Sequence, residues 1–234
     1  MAEDGDEKSP GFASGLAPPG ELLPGPMRLW VPGMDPLPQP PGYAMAWPGD
    51  AQLVLQLHLH PIGKAEREQS TVGLFFTDEK PRGTIRTLTL LNKKVDIAPG
   101  DGAYHLERSL TVREDIDLIG LFPHMHLLGV GMTFVLNPGT PTQRTLLNVP
   151  NYDFHYQRGY DLATPVAVGP GDKIGITCTY DPTLEQELPL LRKVPAHFVT
   201  WGDGSTDEMC LGLILMTPPT TESESTALAH AFSP

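Results

Sequence analysis

The chain has 234 residues, a formal net charge of −12 and 40% hydrophobic residues. That length suits one large domain or two small ones with real cores, the acidity argues against a nucleic-acid footprint, and no apolar run approaches the length of a membrane span. Twenty-six Pro and 24 Gly promise many turns, and the opening MAEDGDEKSP has neither the basic start nor the apolar core of a secretory signal.

Residues 1–23 are polar and rich in Pro and Gly, and a disordered tail is expected there. Trp30, Val31, Met34, Tyr43 and Trp47 are too apolar for a linker and predict an irregular, extended segment packed onto something. Ala51–His60 (AQLVLQLHLH) alternates Leu53, Leu55, Leu57 and Leu59 with Val54, Gln56, His58 and His60, the period of a strand. Thr71–Thr77 is a second strand, and DEKPRG after it a turn or interdomain joint. Short strands are then expected at Ile85–Leu91, Val95–Ile97, His105–Leu110, Asp115–Phe122 and His124–Leu136, the last kinked at Gly129–Gly131. Further strands are expected at Arg144–Val149, Val166–Val168, Lys173–Tyr180 and Glu208–Thr217. The loop Pro150–Tyr160, the irregular stretch Asp181–Trp201 and the loop Gly202–Asp207 separate them, and 219–234 reads as a second disordered tail. No stretch carries a 3.6-residue apolar period. Many short strands at this spacing predict an all-β protein, an antiparallel sandwich of the jelly-roll kind.

LFPHMHLLG, at Leu121–Gly129, places His124 and His126 two apart after a long apolar approach. On a strand such residues project from one face, which makes the pair half of a metal site. Imidazole suits copper, zinc, iron and nickel alike, so the metal is set by a third ligand. Met209, between the acidic loop STDE and the last strand, supplies a thioether, which matters only to a soft metal such as copper(I). Asp203, Asp207 and Glu208 read as a solvated loop, and His105, His197 and His230 as ordinary surface or loop residues. Cys178 and Cys210 are open to three readings: one disulfide, two buried thiols or spare metal ligands.

In order along the chain, LVLQLHLHP (Leu53–Pro61), PHMHLLG (Pro123–Gly129), NYDFHYQRGYDL (Asn151–Leu162), VGPGDKIGITCTYD (Val168–Asp181) and DEMC (Asp207–Cys210) together resemble one family. It is that of the copper type II ascorbate-dependent monooxygenases, which includes peptidylglycine α-hydroxylating monooxygenase and dopamine β-monooxygenase. The resemblance covers Pro24–Pro218 and implies two jelly-roll domains with one copper each, facing across a cleft. It implies that His124, His126 and Met209 hold the oxygen-binding copper and that His58 is one ligand of a second, electron-transfer copper. It places His60 beside that ligand and His155 in a loop near the oxygen site, each in a supporting role. It pairs Cys178 with Cys210, a bridge that fixes where Met209 points and contributes roughly 3–4 kcal/mol by closing its loop. The implied activity is hydroxylation of a C–H bond with O2, ascorbate supplying electrons. The implied location is extracytoplasmic, periplasmic or secreted, which the cysteine pair favours, although this chain shows no signal.

Two departures bound that reading. The family's electron-transfer copper takes two further ligands from an adjacent His-His pair, and this chain contains none; about half of the first domain is expected to lie outside it. Where the peptide-hydroxylating branch binds a peptide carboxylate, this chain has Phe122, Leu211 and Leu213, so the expected substrate is a small, apolar molecule. The expected organisation is a partial first domain at 24–82 and a complete second one at 83–218. The alternatives to an active enzyme are a non-catalytic copper-binding or interaction module and a fragment of a longer monooxygenase. The sequence leaves the oligomeric state open.

Overall fold

A computed structural model of the chain describes residues 30, 31, 34, 39–47, 49, 53–55, 57, 59, 63–100, 102–193, 195–218 and 232–233. The expected N-terminal tail, most of the C-terminal one, and His58, His60 and His230 lie outside the described residues. In chain order the strands are β1 (Tyr43–Ala44), β2 (Gly83–Thr84), β3 (Arg86–Asn92), β4 (Asp96–Ile97), β5 (Tyr104–Val112), β6 (Ile116–His124) and β7 (Gly129–Leu136). They continue with β8 (Arg144–Val149), β9 (Tyr160–Val168), β10 (Lys173–Tyr180), β11 (Val199–Thr200), β12 (Cys210–Thr217) and β13 (Phe232–Ser233). Helix is confined to α1 (Leu184–Glu187) and a 3-10 turn at Leu191–Lys193, among the described residues.

Two sheets carry the fold. One has the order β13-β5-β10-β7-β8 and the other β3-β12-β6-β9, and neighbours within each run antiparallel. Alternation explains how they meet. On β10, Ile174, Ile176, Cys178 and Tyr180 are each buried to within 1%, the period of a strand with one face inward. They share a core with Phe134 of β7 and with Leu118, Leu121, Val168, Ile214 and Met216 of the opposite sheet. Burying side chains of this kind contributes about 1.5–3 kcal/mol each. The sheets approach closely at Gly212, where an added Cβ would lie 2.6 Å from Phe134 Cε1; only glycine leaves room for that ring. The bond between Cys178 on β10 and Cys210 on β12 crosses the sandwich, with the Cα atoms 5.8 Å apart. The protein is thus an all-β antiparallel sandwich, as the spacing of its strands predicts.

Some elements depart from expectation. The predicted strand His124–Leu136 is two pieces: β6 ends at His124, and β7 begins at Gly129 after a turn in which the Gly129 N–H donates to His126 O at 3.2 Å. β9 starts at Tyr160, inside what the sequence marks as a loop, and the irregular stretch after Tyr180 contains α1 and β11. The described residues of 51–60 and 71–77, predicted as strands, take no strand; Leu53, Val54, Leu55, Leu57, Leu59, Phe75 and Phe76 are exposed. A strand needs a neighbour to pair its backbone, and period-two alternation alone does not supply one. The extended segment before them does pack: Val31 and Met34 lie against Phe122, Met209, Leu211 and Leu213 on the outer face of the four-stranded sheet.

Candidate metal centre

An extra residue in β6 sets the position of His124. Against β12, Leu118 pairs with Met216, Gly120 with Leu215, Leu121 with Ile214 and His124 with Leu211. Ile119 therefore has no counterpart, which is a β-bulge. One unmatched residue exchanges the two faces of everything beyond it. Ahead of the bulge Ile116 and Leu118 enter the main core, and beyond it Leu121 and Met125 do. Phe122 is turned out to join Met209, Leu211 and Leu213, and His124, two residues further along the same strand, follows it.

His126 lies past the end of β6 rather than on a second rung of it, yet the imidazoles are close, with centroids 5.2 Å apart and planes at 82°. Met209 immediately precedes β12 and is 2% exposed. The pairing of His124 with Leu211, continued outward in the same antiparallel phase, brings Met209 level with His126. Glu208 Oε2 accepts both the His126 N–H at 2.9 Å and the Met209 N–H at 3.1 Å, so the two backbones share one acceptor.

Hydrogen bonds set which ring nitrogens would be left for a metal. His126 Nδ1 lies 3.0 Å from the carbonyl oxygen of Asp207, which can only accept, so Nδ1 carries the proton. Gln157 donates its Nε2–H to Phe154 O at 2.9 Å, which turns its Oε1 toward His124 Nδ1 at 2.7 Å. Oε1 is an acceptor, so that ring too is protonated at Nδ1. Both imidazoles then offer Nε2 as the donor atom, the arrangement by which ligating histidines are usually oriented. Burial holds the His126 pKa below its ordinary value, against the raising effect of the Asp207 carbonyl, which favours the neutral form a metal requires. A donor set of these two imidazoles and the Met209 thioether would suit a soft ion, copper(I) above others.

The surroundings are rigid. Tyr152 Oη accepts the Met125 N–H at 3.0 Å and donates to Met125 O at 2.7 Å, so the residue between the histidines is held by both its peptide groups. Tyr180 donates its hydroxyl to Met209 O at 3.0 Å, and the next residue, Cys210, is bonded to Cys178. Phe154 stacks edge-on against His126 at 5.8 Å. Glu208 corrects the sequence reading of a solvated acidic loop: it is fully buried, and its Oε1 also accepts the Leu128 N–H at 2.6 Å. Burial pushes its pKa up to about 7, while the backbone N–H groups of His126, Leu128 and Met209 pull it down. Nothing in the local sequence marks Glu208 apart from Asp203 and Asp207, because its partners His126 and Leu128 lie in a distant turn.

From the Asn151–Leu162 loop it is Gln157 that reaches His124; the imidazole of His155 is exposed, stacks on Phe154 and lies 3.5 Å from Asp153 Oδ1. His105 bonds Thr179 Oγ1, and His197 the carbonyl of Pro195, both at the surface. No group of three or more His, Cys, Asp or Glu is placed to hold a metal among the described residues, so a site here depends on the thioether. No helix among the described residues is long and apolar enough to cross a membrane.

Comparison with known proteins adds to this geometry. Mouse DBH-like monooxygenase protein 2 is 34% identical over 99 residues, a match covering 42% of this chain and 14% of that protein. Its human relative is 30% identical over 105 residues, covering 44% of this chain and 19% of that protein. The chain thus matches less than a fifth of the length of these relatives. Among solved structures, the VP2 subviral particle of infectious bursal disease virus is 9% identical, covering 65% of this chain and 38% of that one. Its TM-score of 0.28 is too low to carry an argument. The family model for the copper type II ascorbate-dependent monooxygenase, C-terminal domain, matches residues 80–227, a span that contains His124, His126, Met209 and both cysteines. The chain belongs to the copper type II ascorbate-dependent monooxygenase family, through that family's C-terminal domain.

Proposed function

We propose that this chain supplies the oxygen-binding copper domain of a monooxygenase, with copper(I) held by Nε2 of His124, Nε2 of His126 and Sδ of Met209. The observation that carries the reading is the pair of hydrogen bonds that occupy Nδ1 of both histidines, their rings 5.2 Å apart, with the buried Met209 tied to the His126 backbone through Glu208. When bound, copper supplies the one-electron chemistry by which O2 is reduced and a C–H bond hydroxylated. The chain's own part is to keep the imidazoles neutral, oriented and close, and to offer an apolar wall beside them. Phe122 and Leu213 are paired across β6 and β12, next to the pair of His124 with Leu211, and all three apolar side chains are buried. This supports a small, apolar substrate, which would displace Val31 and Met34 from that wall. Ascorbate as electron donor follows from the family.

The division into a partial first jelly roll at 24–82 and a complete second one at 83–218 goes with this reading. So does an extracytoplasmic location, which the Cys178–Cys210 bond favours. His58, a remnant of the electron-transfer site, and His60 beside it lie outside the described residues. Because the sequence contains no His-His pair, a second reading stands beside the first: copper binding without turnover, as an interaction module or as part of a longer monooxygenase.

Anaerobic titration with copper(I) tests the proposal. One equivalent per chain is expected, lost in His124→Ala and in Met209→Ile, with the fold retained by circular dichroism. A wild-type chain that takes up no copper would sink both readings. Ascorbate-dependent O2 uptake by the chain alone would decide for the enzyme over the module.

A further inference from the structure

Glu208 would not touch a metal, and no step of the proposed chemistry calls on it. It is nonetheless fully buried, where a carboxylate persists only if donors offset its lost hydration. Those donors come from two separate segments. The His126 N–H at 2.9 Å and the Leu128 N–H at 2.6 Å belong to the turn between β6 and β7, and the Met209 N–H at 3.1 Å to the approach to β12. The His126 ring adds a second tie to the same approach, through Nδ1 to Asp207 O. Each segment is anchored again from behind, at Met125 by Tyr152 and at Met209 by Tyr180. Charge-assisted bonds of this kind are short and strong, and one carboxylate sits between two proposed ligands.

We propose that Glu208 is a positioning residue of the centre: one carboxylate, gripping the backbones of His126, Leu128 and Met209 together, sets the separation of the His126 imidazole and the Met209 thioether. Its consequence for metal affinity rests on the copper reading above; the positioning itself does not.

The test uses the whole chain with its disulfide formed, in three variants: Glu208→Gln, Glu208→Asp and, as a packing control in the facing sheet, Ile176→Val. The probes are copper(I) alone, by competition with a chromophoric chelator, and NMR of the Met209 ε-methyl and the His126 ring nitrogens without metal. Glutamine keeps the volume but exchanges one acceptor oxygen for an amide that faces a backbone donor. Aspartate keeps the charge and both oxygens but is a methylene shorter. Both are expected to shift and broaden the metal-free His126 and Met209 signals and to weaken copper(I) roughly 10–100-fold, the range typical of groups that orient ligands. Ile176→Val is expected to lower the melting temperature and leave both readouts unchanged. Wild-type signals and affinity in Glu208→Gln would overturn the proposal. So would full recovery of both in Glu208→Asp, since charge rather than reach would then suffice. If Glu208→Gln does not fold, Glu208→Asp alone carries the same expectation and the same power to overturn it. A wild-type chain that binds no copper(I), with the metal-free signals still displaced in the variants, would sink the copper reading and leave the positioning role standing.

Discussion

Tyr152 shows how much of the centre is built by single buried polar groups. Its hydroxyl pairs with both the N–H and the carbonyl of Met125, and burial holds its pKa well above the ordinary phenol value, so the bonds persist across the working pH range. Tyr152→Phe keeps the ring and strands two buried backbone groups, a loss of about 1–3 kcal/mol. Urea unfolding should show it as a lower midpoint with an unchanged slope; an unchanged midpoint would mean that water replaces the hydroxyl. At this scale the residues of the proposed centre were legible as candidates, because His-x-His beside an apolar run and a Met next to a Cys are visible in the chain itself. Glu208, Gln157 and Tyr152 were not. Their roles depend on partners far off in sequence, as with the Glu208 contact to the His126 N–H across 82 positions, and no local pattern encodes such a meeting.

Turns and bulges differ in the same way among the elements. The turn before β10 was readable from its Pro-Gly-Asp, whose own bond is local, while Asn137 braces it from 35 residues away. Asp172 Oδ2 accepts the Gly169 N–H at 2.9 Å and its Oδ1 accepts from Asn137 Nδ2 at 2.8 Å, while Asn137 Oδ1 accepts the Lys173 N–H at 2.7 Å. The Gly169 N–H, and then the Asn137 amide, hold the Asp172 carboxyl below its ordinary value. A carboxylate whose folded pKa lies below the unfolded one stabilises fully above the unfolded pKa and loses that contribution as pH falls through the folded one. Asp172→Asn should therefore melt below wild type at neutral pH, with the gap narrowing through the acid range below the usual carboxylate pKa. Paired thermal melts measure it, and a gap constant with pH would show that the charge contributes nothing. The bulge at Ile119 has no such signature. Ile116–Phe122 is apolar at nearly every position, so no alternation exists to be broken, and only the pairing with β12 reveals that His124 has changed faces.

For the molecule as a whole, the many short strands specified a sandwich because each of β5–β10 and β12 finds a neighbour and an interior. The same alternation misled at the described residues of 51–60 and at 71–77, since periodicity reports a strand's faces and not whether a sheet exists to receive it. What remains there is apolar surface: Leu59 is 68% exposed and Phe75 99%. Large exposed apolar groups of this kind mark a surface that associates, with a partner or with itself. They add nothing to the sandwich, whose core is closed by Phe134, Ile176 and Ile214 and tied by Cys178–Cys210. Changing Leu59 and Phe75 together to serine should therefore leave the unfolding free energy within about 0.5 kcal/mol of wild type, while dye binding and self-association by light scattering both fall. A destabilisation well beyond that margin would show that these side chains pack onto the sandwich and that their exposure is not the resting state. An unchanged scattering profile would place the associating surface elsewhere, with the exposed Tyr156 and Phe198 the next to alter.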